Sequence, residues 1–302
     1  MRHPPPLAPG ARVALVCPSG PLKDNADLER AVANAKSFGW EPVPGASVLA
    51  HDGYFAGTDT QRLQDINAAF RDHTIDGVWC IRGGYGAMRL LEGLDYDAIG
   101  HRPRPLIGFS DITALHAAVG SRCELVSFHG PTARAELTPF SRDSLDRAVV
   151  RGVDSCGVAP AARTLRKGAA RGRLVGGNLA ILAALAGTNF APAYENAIIV
   201  VEDINEPVYR IERMLLTLRL GDAFASCTGL VFGSFTGDTE QPPADGTRTL
   251  ETVLQEVADT LRIPCIAGAP VGHIADQWTL PLGAMAELDA DARSLTVLQP
   301  SR

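Results

Sequence analysis

Three residues in this chain could together carry out nucleophilic catalysis, and each stands where a strand gives out. Leu106 and Ile107 lead to Gly108 and then to Phe109-Ser110-Asp111, after which Ile112, Leu115 and Val119 recur at helical spacing. A serine at such a strand-to-helix turn has its hydroxyl lifted above a sheet edge, near the positive end of the next helix. Ala197-Ile-Ile-Val-Val201 reads as another buried strand and delivers Glu202 and Asp203 at its end, while Gly268-Ala-Pro-Val-Gly272 leads to His273. A serine hydroxyl attacks a carbonyl only when a base takes its proton. Histidine suits that role, and a carboxylate fixes the histidine's tautomer.

Each of these residues also has a quieter reading. Ser110 or Asp111 would serve as a helix N-cap, and Ile112 stands where the G-x-S-x-G elbow has its second glycine. Among the other histidines, His116 falls on the polar side of the following helix and is expected at the surface. His129 precedes a Gly-Pro turn and is either structural or substrate-facing; His51 and His73 lie in loop-like stretches. Chemistry alone leaves the choice of histidine open. Arg82-Gly-Gly-Tyr-Gly86 begins a dinucleotide-type G-x-G, but Arg89 replaces the third glycine and no acidic residue closes a following strand. It reads as a tight turn, or as a place where backbone N–H groups approach a ligand oxygen as in an oxyanion hole.

The elements that must position these residues alternate. Val13 to Val16 is a strand ending at Cys17-Pro-Ser-Gly-Pro21, and Asp24 to Phe38 is an amphipathic helix stopped by Gly39. Glu41 to Gly57 reads as a loop, and Thr58-Asp-Thr-Gln61 as a capping box opening the next helix. Gly77 to Ile81 is a strand, a helix carries Met88, Leu90 and Leu91, and the Leu106 strand follows. This order predicts a parallel sheet with helices on both faces, and ligands bound beyond the carboxyl ends of its strands. Ser141 to Arg151 is helical. Residues 151–172 read as a crossing between domains, within a stretch to Arg173 rich in Ala, Gly, Arg and Pro that Arg163, Arg166, Lys167, Arg171 and Arg173 make basic and solvated. The domains are then 1–150 and 173–302. In the second, helices from Leu182, Pro207 and Leu250 mix with strands at Ala197, Gly229, Ile263, Met285 and Leu295, and Pro242 to Gly246 forms a loop; α+β is its label.

Composition excludes several classes. Of the 302 residues, 46% are hydrophobic and 21% charged, as in an ordinary globular protein. The net charge of -6, with no basic track, argues against nucleic-acid binding. No stretch approaches the ~18 apolar residues of a membrane span. Met1-Arg-His-Pro-Pro-Pro has no hydrophobic signal region, so a cytoplasmic location is expected. Cys17, Cys80, Cys123, Cys156, Cys227 and Cys265 are scattered without a C-x-x-C pair and are expected as buried thiols.

Taken in order, Arg82-Gly-Gly-Tyr-Gly86, Gly108-Phe-Ser-Asp111, His129-Gly-Pro131, Gly176-Gly-Asn-Leu179, Val201-Glu-Asp-Ile204 with Glu206 and Tyr209, and Gly272-His273 with Leu280-Pro-Leu-Gly283 resemble the LD-carboxypeptidase family. This is the serine peptidase family that includes the microcin-immunity proteins. The resemblance covers nearly the whole chain. It implies a catalytic Ser110, His273 and Glu202, and an oxyanion hole from the backbone N–H groups of Asp111 and Gly84. It also implies a flavodoxin-like N-terminal domain, a C-terminal mixed β/α domain, a site in the cleft between them, a homodimer, and no metal or organic cofactor. The implied reaction is hydrolysis of an L–D amide bond, releasing the terminal D-alanine of a murein tetrapeptide in cell-wall recycling. Arg82, Arg210 and Arg213 are candidates to hold the substrate carboxylate. Hydrolysis of aminoacyl-adenylate analogues is the alternative within the family, and a non-catalytic sugar- or nucleotide-binding protein is the alternative outside it. Ser141 to Asn189 contains no aromatic residue that could stack on a purine.

Overall fold

The computed structural model describes residues 1–237 and 248–299. The Pro242–Gly246 loop expected from sequence lies outside them. In chain order the first half runs β1 (Arg12–Val16), α1 (Asn25–Ser37), β2 (Glu41–Pro44), α2 (Asp59–Arg71), β3 (Gly77–Cys80), a 3₁₀ segment (Ala87–Gly93), α3 (Tyr96–His101), β4 (Leu106–Gly108), a 3₁₀ turn (Ser110–Ile112), α4 (Thr113–Cys123), β5 (Ser127–His129) and α5 (Pro139–Asp146), which runs into a π turn to Arg151. The second half runs β6 (Gly157–Val158), β7 (Arg163–Arg166), β8 (Ala169–Asn178), α6 (Leu179–Leu185), β9 (Ala197–Ile204), α7 (Val208–Leu220), β10 (Gly229–Thr236), α8 (Leu250–Leu261), β11 (Cys265–Ala267), β12 (Leu280–Leu282), β13 (Met285–Asp289) and β14 (Ser294–Val297).

Among the described residues the strands form two sheets. The first has the order β12-β5-β4-β3-β1-β2, and its five N-terminal strands are all parallel. The order 2-1-3-4-5 is that of flavodoxin-like sheets. Alternate residues of β1 serve opposite faces: Val13 and Leu15 join one apolar cluster, Ala14 and Val16 another, the latter with Ile66 of α2 and Leu115 of α4. A strand buried on both faces explains the unbroken apolar run in the sequence. The eight-stranded second sheet, β6-β14-β13-β8-β9-β10-β11-β7, is parallel from β8 to β11 and antiparallel at its flanks.

The two sheets are not independent bodies. Val13, Leu15, Trp79 and Ile107 of the first share one apolar cluster with Leu174, Ile198, Val200 and Val231 of the second. The far edge of the first sheet is β12, which pairs antiparallel with β5, Leu280 opposite His129. A further tie is the Asn178 N–H, which donates to the Thr113 hydroxyl at 2.9 Å.

Three readings need correction. Residues 41–44 form a parallel edge strand beside β1, Glu41 to Pro44 against Arg12 to Leu15; its Pro-Val-Pro core masks a strand signal because edge strands tolerate proline. The segment with Met88, Leu90 and Leu91 is 3₁₀ rather than α. Residues 151–172, taken for a crossing, carry β6, β7 and the start of β8. Their small and basic residues sit on flanking strands: Arg166 pairs opposite Cys265, and Ala169 to Arg171 opposite Leu288 and its neighbours.

Close packing of β8 on β9 explains Gly176. Its φ is +151°, and a Cβ there would lie 1.8 Å from the Val200 carbonyl oxygen. Gly176→Ala is therefore expected to destabilise the protein by about 3 kcal/mol or more, read as a lower denaturation midpoint in urea. A midpoint within error of the unaltered protein's would disprove the close approach.

Candidate active site

Ser110 leaves β4 through a single extended residue, Phe109, and enters the 3₁₀ turn with φ +66°. That left-handed backbone is strained for a residue with a side chain, by roughly 1–3 kcal/mol. Neither Ser110 nor Asp111 caps the helix that follows. Asp111 instead turns back, and its carboxylate accepts the Ala87 N–H at 2.8 Å. Burial raises its pKa, with the Ser19 hydroxyl, the Ala87 N–H and Arg62 opposing. The bond pins the end of the glycine turn to the elbow. A methyl group at Gly83 would sit 3.2 Å from the Ser110 Oγ, so that turn runs against the hydroxyl. The N–H groups of Asp111 and Gly84 make no hydrogen bond among the described residues.

The second sheet supplies the partners. The Ser110 hydroxyl donates to His273 Nε2 at 3.0 Å, and His273 Nδ1–H donates to Glu202 Oε2 at 2.8 Å. A carboxylate can only accept, which fixes the proton on Nδ1 and leaves Nε2 free to take another. Glu202 is fully buried at the end of β9, and a Cβ on Gly272 would lie 2.7 Å from its Oε2. The Phe109 ring packs on the imidazole, centroids 4.8 Å apart. Asp203, next along β9, serves a different network: it accepts from Asn178 Nδ2 and the Ala180 N–H, both at 2.9 Å, at the start of α6. Burial pushes its carboxyl up to about 6, against the hydrogen bonds it accepts and helped by the charge of Glu202.

The other histidines sort differently. His51 and His73 are exposed. His116, expected at the surface, is buried: its Nε2–H donates to the Gly108 carbonyl at 2.8 Å and its Nδ1 pairs with the Ser127 hydroxyl at 2.9 Å. It holds the strand end that carries the elbow, and α4 lies between sheets rather than against solvent. His129 is fully buried behind Phe109, with neither ring nitrogen bonded. Burial pushes His116 down to about 4 and His129 to about 3, the latter helped by His116 and His273.

Beside His273 opens a cleft of about 390 Å³, bounded by Phe109, Pro131, Thr132, Ser141, Ile274 and Gln277. None of the three arginines singled out from sequence lines it. Arg82 donates to the Pro21 carbonyl, Arg210 pairs with Glu206 at 3.6 Å, and Arg213 lies over the Tyr209 ring. Arg30 and Arg134 line it instead. Arg134 stands three residues after His129-Gly-Pro131, and Arg30 on the polar side of α1; no sequence pattern distinguishes either from a solvated arginine.

A doubly covered parallel sheet joined to a second sheet, with serine, histidine and buried carboxylate in one hydrogen-bonded row at their junction, is the layout of a serine hydrolase. The chain belongs to the LD-carboxypeptidase family: residues 13–130 match its N-terminal domain and 171–288 its C-terminal domain. It is 36% identical over 294 residues to the murein tetrapeptide carboxypeptidase of Pseudomonas aeruginosa, covering 93% of this chain and 94% of that one. It is 26% identical over 334 residues to the microcin C7 self-immunity protein MccF of Escherichia coli, covering 97% and 95%. The crystal structure of muramoyltetrapeptide carboxypeptidase from Oxalobacter formigenes superposes with a TM-score of 0.85 at 30% identity, covering 96% of this chain and all of that one. Among the described residues no helix is long and apolar enough to cross a membrane.

The buried histidines make stability depend on pH. Unfolded imidazoles protonate near 6.5, whereas His116 and His129 in the fold do so only near 4 and 3. Below 6.5 the unfolded chain binds more protons, so stability is lost as pH falls toward 4. Asp203 opposes this between about 6 and 4, because its folded carboxyl keeps a proton the unfolded one has released. The urea midpoint is expected to drop from pH 6.5 to 4, and His129→Leu to flatten the drop. An equally steep profile in the variant would remove His129 from the account.

Proposed function

We propose that this protein is a murein tetrapeptide carboxypeptidase in which Ser110 is the nucleophile, His273 the general base and acid, and Glu202 the residue that orients and charges the histidine. The observation that carries this reading is the unbroken row from a strained serine through an imidazole to a fully buried carboxylate. Ser110 Oγ attacks the carbonyl of the L–D amide as its proton passes to His273 Nε2. The tetrahedral oxyanion is held by the unengaged N–H groups of Asp111 and Gly84. His273 then gives its proton to the departing D-alanine nitrogen, whose bond to carbon breaks to leave an acyl-Ser110. Water, deprotonated by the same histidine, clears the acyl group. Cytoplasmic recycling of cell-wall fragments and a homodimeric assembly belong to the same reading. The relatives named for this activity support the substrate class, and the aromatic-free stretch 141–189 supports a peptide over a purine.

Ser110→Ala and His273→Ala are each expected to lower kcat by about 10⁵-fold or more, and the double variant to be scarcely worse, because members of a relay act as a unit. Multiplying losses would show independent roles. Ser110→Gly should be equally inactive yet more stable by about 1 kcal/mol, since glycine adopts φ +66° without strain. Substrate choice is decided by two kcat/KM values on one preparation: release of D-alanine from L-Ala-γ-D-Glu-meso-diaminopimelate-D-Ala, and cleavage of an aminoacyl-sulfamoyl adenylate. The first is expected to exceed the second by far; equal or reversed values would move the protein to the self-immunity activity.

A further inference from the structure

The cleft beside His273 contains no residue of the glycine turn, yet it touches the ring that must hand a proton to the leaving nitrogen. On the carboxypeptidase reading the departing residue sits on this side of the imidazole. In a carboxypeptidase that residue carries a free carboxylate one carbon from the nitrogen, and an anion entering a partly closed cleft needs charged or hydrogen-bonding partners there. Two features of the wall answer that need. Arg134 donates Nη1 to both oxygens of Asp27, at 3.1 and 3.3 Å, which fixes the guanidinium while its buried Nε–H has no acceptor. Gln277 is 5% exposed, and the group it can offer a carboxylate is its side-chain N–H2, which donates to no acceptor among the described residues. Only its backbone N–H is engaged, by Ser141 at 2.9 Å.

Among the described residues, Arg30, Arg134 and Glu136 are the charged groups that line the cleft beside His273. Asp27, itself buried, offsets Arg134; Arg30 adds a second cation on the rim, and Glu136 lies exposed on the lip. Arg30 forms no ion pair among the described residues and only reaches the Arg134 carbonyl at 3.5 Å. The interior of the cleft thus presents an anchored guanidinium and an unengaged amide, the donor set that a planar carboxylate accepts.

We infer that Arg134 and Gln277 form the subsite for the free carboxylate of the residue that leaves, with Arg30 drawing the anion in. The inference rests on the carboxypeptidase reading and names the residues that make the enzyme specific for a chain end. Arg134 and Gln277 are specificity residues here, in contact with substrate but not with the scissile bond.

The test compares the tetrapeptide with its C-terminal carboxamide, which differs only in the leaving residue's charge. The unaltered protein should favour the free acid by about a hundredfold or more in kcat/KM, the scale at which a site built for a polar group rejects an analogue lacking it. Arg134→Lys keeps the charge and the Asp27 pair but loses the fork; Gln277→Leu removes the amide. Each should narrow the acid-to-amide ratio at least about tenfold, because the free acid loses more than the carboxamide does. Equal rates on acid and amide by the unaltered protein would overturn the inference alone, as would an unchanged ratio in both variants. Hydrolysis of neither peptide by the unaltered protein would reject the murein-peptide reading, and the inference with it.

Discussion

One imidazole joins the chemistry of two sheets. His273 and Glu202 belong to the second sheet and its loops, Ser110 to the first, and the 3.0 Å bond between Ser110 and His273 crosses from one to the other. A hydrogen bond tolerates only a few tenths of an ångström of drift before it weakens. The sheets must therefore be fixed relative to each other more tightly than separate domains ordinarily are. Their shared apolar cluster does most of this, since close-packed side chains resist sliding. The Thr113–Asn178 bond and the pairing of β12 with β5 add two directional ties on either side of the elbow.

The same burial that fixes the geometry sets the electrostatics. Glu202 has no contact with water, and His273 gives it one hydrogen bond while its second oxygen has none. A carboxylate so placed can only accept, which keeps the imidazole's proton on Nδ1 and turns Nε2 toward Ser110. Around it the protein keeps other groups neutral. His116 and His129 are desolvated far below their ordinary protonation range, so neither adds a competing positive charge behind Phe109. Asp203 is turned away into its own network with Asn178, so consecutive carboxylates on one strand do not share a site. Alternation along β9 accomplishes that separation.

Much of this was legible in the sequence because strand ends announce themselves. Apolar runs that stop at Cys17, Arg82, Ser110 and Glu202 mark the carboxyl edges, and the capping box at Thr58 forms as its spacing implies. What failed was anything decided by long-range pairing. Residues 163–173 look like a solvated connector because arginines on flanking strands carry no alternation a sequence can display, yet β11 and β13 give them partners. His116 looks polar by its place on a helix, but its face of that helix is covered by β5, to which its ring bonds at Ser127. Arg134 is hidden from the sequence for the same reason: its partner Asp27 is 107 positions away, and the cleft it lines is closed by residues 273–277.

The position of β12 in the chain has a consequence for biosynthesis. The first sheet is complete to β5 by residue 129, but the strand that covers its edge is encoded at 280–282. While the chain is being made, the open side of β5 shows unpaired backbone groups for as long as some 150 further residues take to emerge, roughly ten seconds or more at ordinary elongation rates. An uncovered parallel sheet edge is a template for pairing with a neighbouring nascent chain. The half that carries Ser110 thus waits on the half that carries His273, so that a truncated or stalled chain is more exposed to aggregation than its apolar core alone would suggest.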